Sequence, residues 1–180
     1  MPLRSRTPCG LCALCVRQNS TKSAKTFHLP FDGLKWHDAL MNVFTYGSLM
    51  IPSVMVAVTG THFQVSKAAL RDYARFSLKG ESYPAIVFKA GAATDGVLHR
   101  DVDERSLKLL DDFEGELYRR ISVRVEVDQS GALMAEAYVI SPAHRPLLSS
   151  EPWDFDEFKE EHLQAFLRNY RGFSTLRKDA

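Results

Sequence analysis

The sequence predicts an α+β domain built on a mixed, barrel-like sheet. First, short apolar or alternating segments dominate residues 43–140 and read as strands, with helical stretches inserted between them. Second, residues 118–127 alternate cleanly, with Ile121, Val123, Val125 and Val127 on one face and Arg120, Ser122, Arg124 and Glu126 on the other. That is the pattern of a strand buried on one side. Third, 180 residues at 45% hydrophobic and 25% charged suffice for one sizeable core.

The elements follow in order. Residues 43–46 form a short apolar strand, and residues 51–58 a helix with Pro52 in its first turn, where a missing N–H costs nothing. Residues 63–78 supply one or two strands. Residues 83–89 and 96–100 read as two more, separated by a turn at 91–95. A helix spans 103–114, with Asp101 and Glu104 at capping-box spacing. Gln129, Ser130 and Gly131 turn the 118–127 strand back into 135–140. In residues 154–170, Phe155, Phe158, His162, Phe166 and Tyr170 form one helical stripe, read as core packing.

Residues 1–40 differ in character. They hold six of the 23 Lys/Arg and two of the 22 Asp/Glu, which leaves this segment at +4 and the remainder at −3. A basic, Ser-containing, acid-poor leader is typical of a transit peptide. It makes a poor secretory signal, because the short apolar run from Cys9 to Val16 meets Arg17 directly. Alternatively, translation starts at Met41. We expect a leader that is disordered or outside the domain, a domain over 41–140 and a helical extension over 141–180 packed on it. Of the leader, only residues 27–40, with Phe31, Leu34, Trp36 and Leu40, are apolar enough to dock.

The net charge of +1 gives no global case for nucleic acid, and no apolar run approaches a membrane span. The three cysteines, Cys9, Cys12 and Cys15, all lie in the leader. A body without cysteine fits a reducing compartment, so a cytoplasmic protein is expected. Zinc wants four ligands, and even with His28 the three thiols make a poor site, so no metal is expected.

Two constellations carry chemistry. In Tyr46-Gly47-Ser48-Leu49, a strand runs through a glycine bend toward a helix. Glycine permits positive φ and close ligand approach. The N–H groups of Gly47, Ser48 and Leu49 have no obligatory strand partner and suit a carboxylate or phosphate. An ordinary turn capped by Ser48 explains the same four residues. The second constellation is Glu114. On a helical wheel with Leu107 at zero, Leu110 lies about 60° and Glu114 about 20° to the same side. Glu114 thus falls on the apolar face, with Asp111 near its edge and Asp112 pointing away. A carboxylate there is desolvated and becomes a stronger base. A helix ending at Phe113 would instead leave Glu114 in solvent.

Together with Tyr83-Pro84-Ala85-Ile86-Val87, Asp95-Gly96-Val97-Leu98, Asp111-Asp112-Phe113-Glu114-Gly115 and Tyr118-Arg119-Arg120, the turn resembles the gamma-glutamylcyclotransferase-like family over residues 41–140. The resemblance implies a small mixed β-barrel flanked by helices and a pocket at one barrel end. It implies release of an amine or amino acid from a gamma-glutamyl compound with closure to 5-oxoproline, and no cofactor. By the same resemblance Glu114 is the general acid/base, and the backbone of Gly47, Ser48 and Leu49, in the substrate-binding loop that begins at Tyr46, holds the α-carboxylate. The Tyr118 hydroxyl would contact the substrate or the glutamate; a strand aromatic in the core explains that residue equally well. The leader has no counterpart in the pattern, and the C-terminal helix is a variable part that would cap the pocket. A rival is a non-catalytic module that binds a small amino-acid-like ligand on the same fold.

Other chemistries fit less well. Ser48 as a nucleophile with His99 lacks the second glycine of a nucleophile elbow. Arg119, Arg120 and Arg124 are diluted by Glu116 and Glu126 and read as a solvated face.

Overall fold

In the computed structural model, the structure describes residues 40–128 and 131–169. The leader with its cysteines and His28, the turn residues Gln129 and Ser130, and Tyr170 lie outside these residues. Leu40, at the described end of the segment expected to dock, is exposed.

Five strands close into a barrel: β1 (Met41–Thr45), β2 (Val65–Ser77), β3 (Pro84–Val102), β4 (Tyr118–Val127) and β5 (Gly131–Ile140), in the ring order β1-β3-β2-β4-β5. The sheet is mixed. β1 runs antiparallel to β3 and parallel to β5 (Val43 opposite Glu136, Phe44 opposite Ala137), and the remaining pairs are antiparallel. Helices α1 (Pro52–Thr59) and α2 (Glu104–Glu114) flank the barrel. A C-terminal helical run follows: α3 (Phe155–Glu157), a π-helical turn (Phe158–His162) and α4 (Leu163–Asn169). No helix among the described residues is long and apolar enough to cross a membrane.

Strand alternation feeds two large cores, and Leu78, Ala85 and Ile140 form a smaller third cluster. Phe44, Leu70, Ile86, Leu98, Val125 and Ala137 fill the barrel. On the other side of the wall, Val43, Val102 and Tyr138 join Val54 and Met55 of α1, Leu107 and Leu110 of α2, and Trp153, Phe158 and Phe166 of the C-terminal region. β1 therefore feeds both cores, Val43 outward and Phe44 inward.

The structure departs from the sequence expectation in two elements. Residues 83–100 do not make two strands with a reversal between them. β3 continues through residues 89–92 as a bulge opposite Asp72, and pairing resumes with Ala93 opposite Arg71. Asp72, itself at φ 61°, accepts the Gly91 N–H at 2.8 Å, and Gly91 takes φ 77°, so the turn residues bend one strand instead of ending it. The cap of α2 is also different. Asp103, not Asp101, is the N-cap, and its carboxylate accepts the Ser106 N–H at 2.7 Å. Asp101 sits at φ 56°, one residue inside the end of β3, and cannot serve.

Candidate active site

β1 ends one residue before Tyr46, and the chain turns through Gly47 into a 3-10 turn, Ser48–Met50. The turn's hydrogen bonds run from Met50 N–H to Gly47 O and from Ile51 N–H to Ser48 O. The three N–H groups ahead of them, on Gly47, Ser48 and Leu49, take no part in that pattern. Gly47 does not adopt the positive φ expected of it: its φ is −139°. Glycine is needed for space, because a Cβ would fall 2.8 Å from Pro84 Cγ and 2.9 Å from Cδ. Ser48 makes no side-chain cap.

Two side chains fix this turn from behind. The Tyr46 hydroxyl donates to the Tyr138 carbonyl at 2.6 Å, and Arg75 Nη1 donates to the Tyr46 carbonyl at 2.7 Å. Arg75 in turn lies over the Trp153 ring at 5.0 Å, and the Trp153 N–H is bonded to the Ser82 carbonyl. Tyr46 is thus a buried strut with its hydroxyl already engaged.

Glu114 is the last residue of α2. Gly115 follows at φ 59°, ψ −154°, a conformation open to glycine, and releases the chain into the turn Gly115–Leu117. Leu107, Leu110 and Phe113 of the same helix are buried. Glu114 is half-buried and lines a cavity. Burial, and secondarily the charge of Asp111, push its carboxyl up to about 8.

The cavity is about 270 Å³. The Tyr46-Gly47-Ser48-Leu49 turn forms part of its wall, and Glu114 and Tyr118 line it too. The Tyr118 hydroxyl donates to the Pro84 carbonyl at 2.7 Å. Tyr83, Tyr138 and Phe166 are also part of the wall, and sequence reasoning did not place them there. Phe166 arrives from α4, edge-on to Tyr83 with ring centroids 6.2 Å apart. The position of Phe166 in the apolar stripe marked it only as a core residue.

Asp111 was also missed. Its Oδ1 accepts from the Tyr138 hydroxyl and from Arg120 Nε, each at 2.8 Å, and its Oδ2 accepts from Arg120 Nη2 at 3.2 Å. Arg120 further faces Glu136 at 3.6 Å. Arg120 is therefore a paired cation, not a member of a solvated basic face. The i, i+3 spacing of Asp111 and Glu114 was the available signal.

His99 takes no part in the cavity wall. Its Nε2 meets Thr45 Oγ1 at 3.1 Å, and burial lowers its pKa to about 4, which keeps the ring neutral. It braces β1, and its side-chain partner is Thr45, not Ser48. The described residues with metal-ligand spacing are Glu157, Glu161 and His162, whose ligand atoms lie within 4.8 Å of one another on the C-terminal helix, outside the cavity wall.

The turn and Glu114 line one cavity. The model of the gamma-glutamyl cyclotransferase, AIG2-like family matches residues 43–155. AIG2-like protein D of Arabidopsis thaliana is 34% identical over 135 residues, covering 74% of this chain and 88% of that protein. A solution structure of an Arabidopsis thaliana protein superposes with a TM-score of 0.58 at 31% identity, over 77% of this chain and 84% of the other. A solved gamma-glutamyl cyclotransferase shares the fold at 18% identity and a TM-score of 0.51, over 56% of this chain and 66% of the other. The chain belongs to the gamma-glutamyl cyclotransferase, AIG2-like family.

Proposed function

We propose that the protein cleaves a gamma-glutamyl compound to 5-oxoproline and a free amine or amino acid, with Glu114 as the single acid–base group. The observation that carries this reading is the shared cavity. Gly47, Ser48 and Leu49 form one part of its wall and Glu114 another, and a carboxyl pushed up to about 8 can both take and return a proton near neutrality.

The substrate's α-carboxylate is held on the N–H groups of the turn, where backbone donors face an anion. Glu114 as carboxylate takes one proton from the α-ammonium. The freed amine nitrogen attacks the γ-carbonyl carbon, and a five-membered ring closes through a tetrahedral adduct. As the adduct collapses, the bond from that carbon to the leaving nitrogen breaks, Glu114 returns its proton to that nitrogen, and the second proton of the ring nitrogen passes to the released amine, which departs as an ammonium. Water is not consumed, and the carboxylate is restored. Because nucleophile and electrophile belong to one molecule, the protein's main task is to hold the substrate folded in a near-attack geometry. Tyr118 and Tyr138 shape the cavity around the glutamyl part, and Phe166 with Tyr83 closes its apolar side.

The test is to incubate the protein with gamma-glutamyl dipeptides, gamma-glutamyl-lysine, other gamma-glutamyl amines and glutathione, and to quantify 5-oxoproline by mass spectrometry. Turnover by the wild type, reduced at least roughly 100-fold in Glu114→Gln with ligand affinity largely retained, is the expected result. Binding without 5-oxoproline from any substrate would replace this reading with that of a ligand-binding module.

A further inference from the structure

We propose that Asp111 is a positioning residue for the reaction, acting on Glu114 through its charge and on the Tyr46 turn through Tyr138. This inference rests on the reading of Glu114 as the base.

The two carboxyls lie three residues apart on α2, yet their surroundings are opposite. Asp111 is clamped by the Arg120 guanidinium, through Nε to Oδ1 at 2.8 Å and Nη2 to Oδ2 at 3.2 Å. Such bidentate pairs fix geometry as well as charge. Glu114 is turned into the cavity and ion-pairs with no cation among the described residues. Burial raises the proton affinity of Glu114 while Asp111 is held in an ion pair, and unlike surroundings of that kind assign acid–base roles within a carboxyl pair. The charge of Asp111 adds to burial in making Glu114 hold its proton.

Asp111 also ties the helix to the turn. Its Oδ1 accepts the Tyr138 hydroxyl at 2.8 Å, and the Tyr138 carbonyl accepts the Tyr46 hydroxyl at 2.6 Å. One carboxylate thereby sets the ring of Tyr138 in the cavity wall, and that residue's main chain anchors the start of the Gly47-Ser48-Leu49 cradle. Other groups bear on Glu114. Tyr46 and Tyr138 both sense its charge from the turn after β1 and from β5. Tyr83, Glu116 and Tyr118 share its cavity from the approach to β3, the turn after α2 and β4. Glu136 on β5 stands behind Arg120.

Two substitutions separate a charge effect from general loosening. Asp111→Asn keeps an oxygen to accept from Tyr138 and removes the charge, so Glu114 should ionise about one pH unit lower. Arg120→Gln leaves Asp111 uncompensated, so Glu114 should ionise at higher pH. Loosening of the fold would hydrate Glu114 and lower its midpoint in both variants. The full-length protein is labelled with 13C at glutamate carboxyls, and the Glu114 signal is assigned by its absence in Glu114→Gln. Its titration midpoint is followed in each variant beside the acidic limb of kcat/KM for 5-oxoproline formation. Opposite movements of the midpoint, tracked by the limb, are expected. An unmoved midpoint in both variants, or a downward shift in both, overturns the role of Asp111 while leaving Glu114 as base. Wild-type-like activity of Glu114→Gln overturns the base itself.

Discussion

A carboxyl enclosed by protein and set beside a second carboxylate resists ionisation, and Glu114 is such a group, with its pKa pushed from 4.5 to about 8. The sign of the consequence for stability follows from linkage. The unfolded chain ionises this group near 4.5 and the folded chain near 8, so the folded state loses ground as pH rises between those values. The contribution is intact at lower pH and fully lost above about 8. Gln does not titrate, so Glu114→Gln should gain stability relative to the wild type as pH rises. We expect the difference between the two unfolding free energies to grow by about 2 kcal/mol from about pH 5 to about pH 8.5. That is below the ceiling of about 1.4 kcal/mol for each pH unit separating the folded and unfolded ionisation midpoints. Urea denaturation at the two pH values measures it, and a difference that is flat with pH would show that Glu114 is better hydrated than its enclosure implies. The residue proposed as the acid–base group is then also one that destabilises the fold at neutral and higher pH.

At the scale of elements, α2 decides whether Glu114 reaches the cavity, because its first and last turns set the helix's phase and length. Asp103 satisfies the Ser106 N–H at the start, and Gly115 ends the helix directly after Glu114. Asp103→Ala should cost about 1 kcal/mol, a typical cap loss, seen as a lower urea midpoint with an unchanged slope. Much of this element was legible in the sequence. The wheel put Leu107, Leu110 and Glu114 on one face, and the two leucines are buried there. The alternation of residues 118–127 gave β4 with its buried face. What local pattern did not carry was fixed by partners distant in sequence. Asp101 has capping-box spacing, but it still lies within β3, at positive φ. Gly91 has turn chemistry, yet Asp72 on the neighbouring strand converts it to a bulge. Arg120 looks solvated along its strand, and only the approach of α2 supplies Asp111. Tyr138 reads as one aromatic in a hairpin, although it links the helix, the turn and the cavity.

At the scale of the molecule, the closing of the barrel and the placing of the site are one event, because β1 is both the closing strand and the lead into the turn at Tyr46. β1 must come close to β3, and Gly96 is where it does so. A Cβ at Gly96 would collide with the Thr45 carbonyl and lie 2.7 Å from two atoms of the Phe44 ring. These neighbours are backbone and a fully buried ring, which cannot swing aside. Gly96→Ala should therefore push β1 outward and cost about 2–4 kcal/mol, in the upper range for overpacking. Gly60 provides the contrast. It ends α1 at φ 74° with no atom within 4 Å of a Cβ, so Gly60→Ala meets only backbone strain, about 1 kcal/mol. Thermal unfolding followed by circular dichroism, with 5-oxoproline formation assayed well below each midpoint, separates the two. Gly60→Ala should lower the midpoint modestly and keep its turnover. Gly96→Ala should lose turnover even where it is folded, because a displaced β1 carries the Tyr46 turn away from Glu114. Full turnover in folded Gly96→Ala would mean that Arg75 and Tyr138 hold the turn in place without the strand that leads into it.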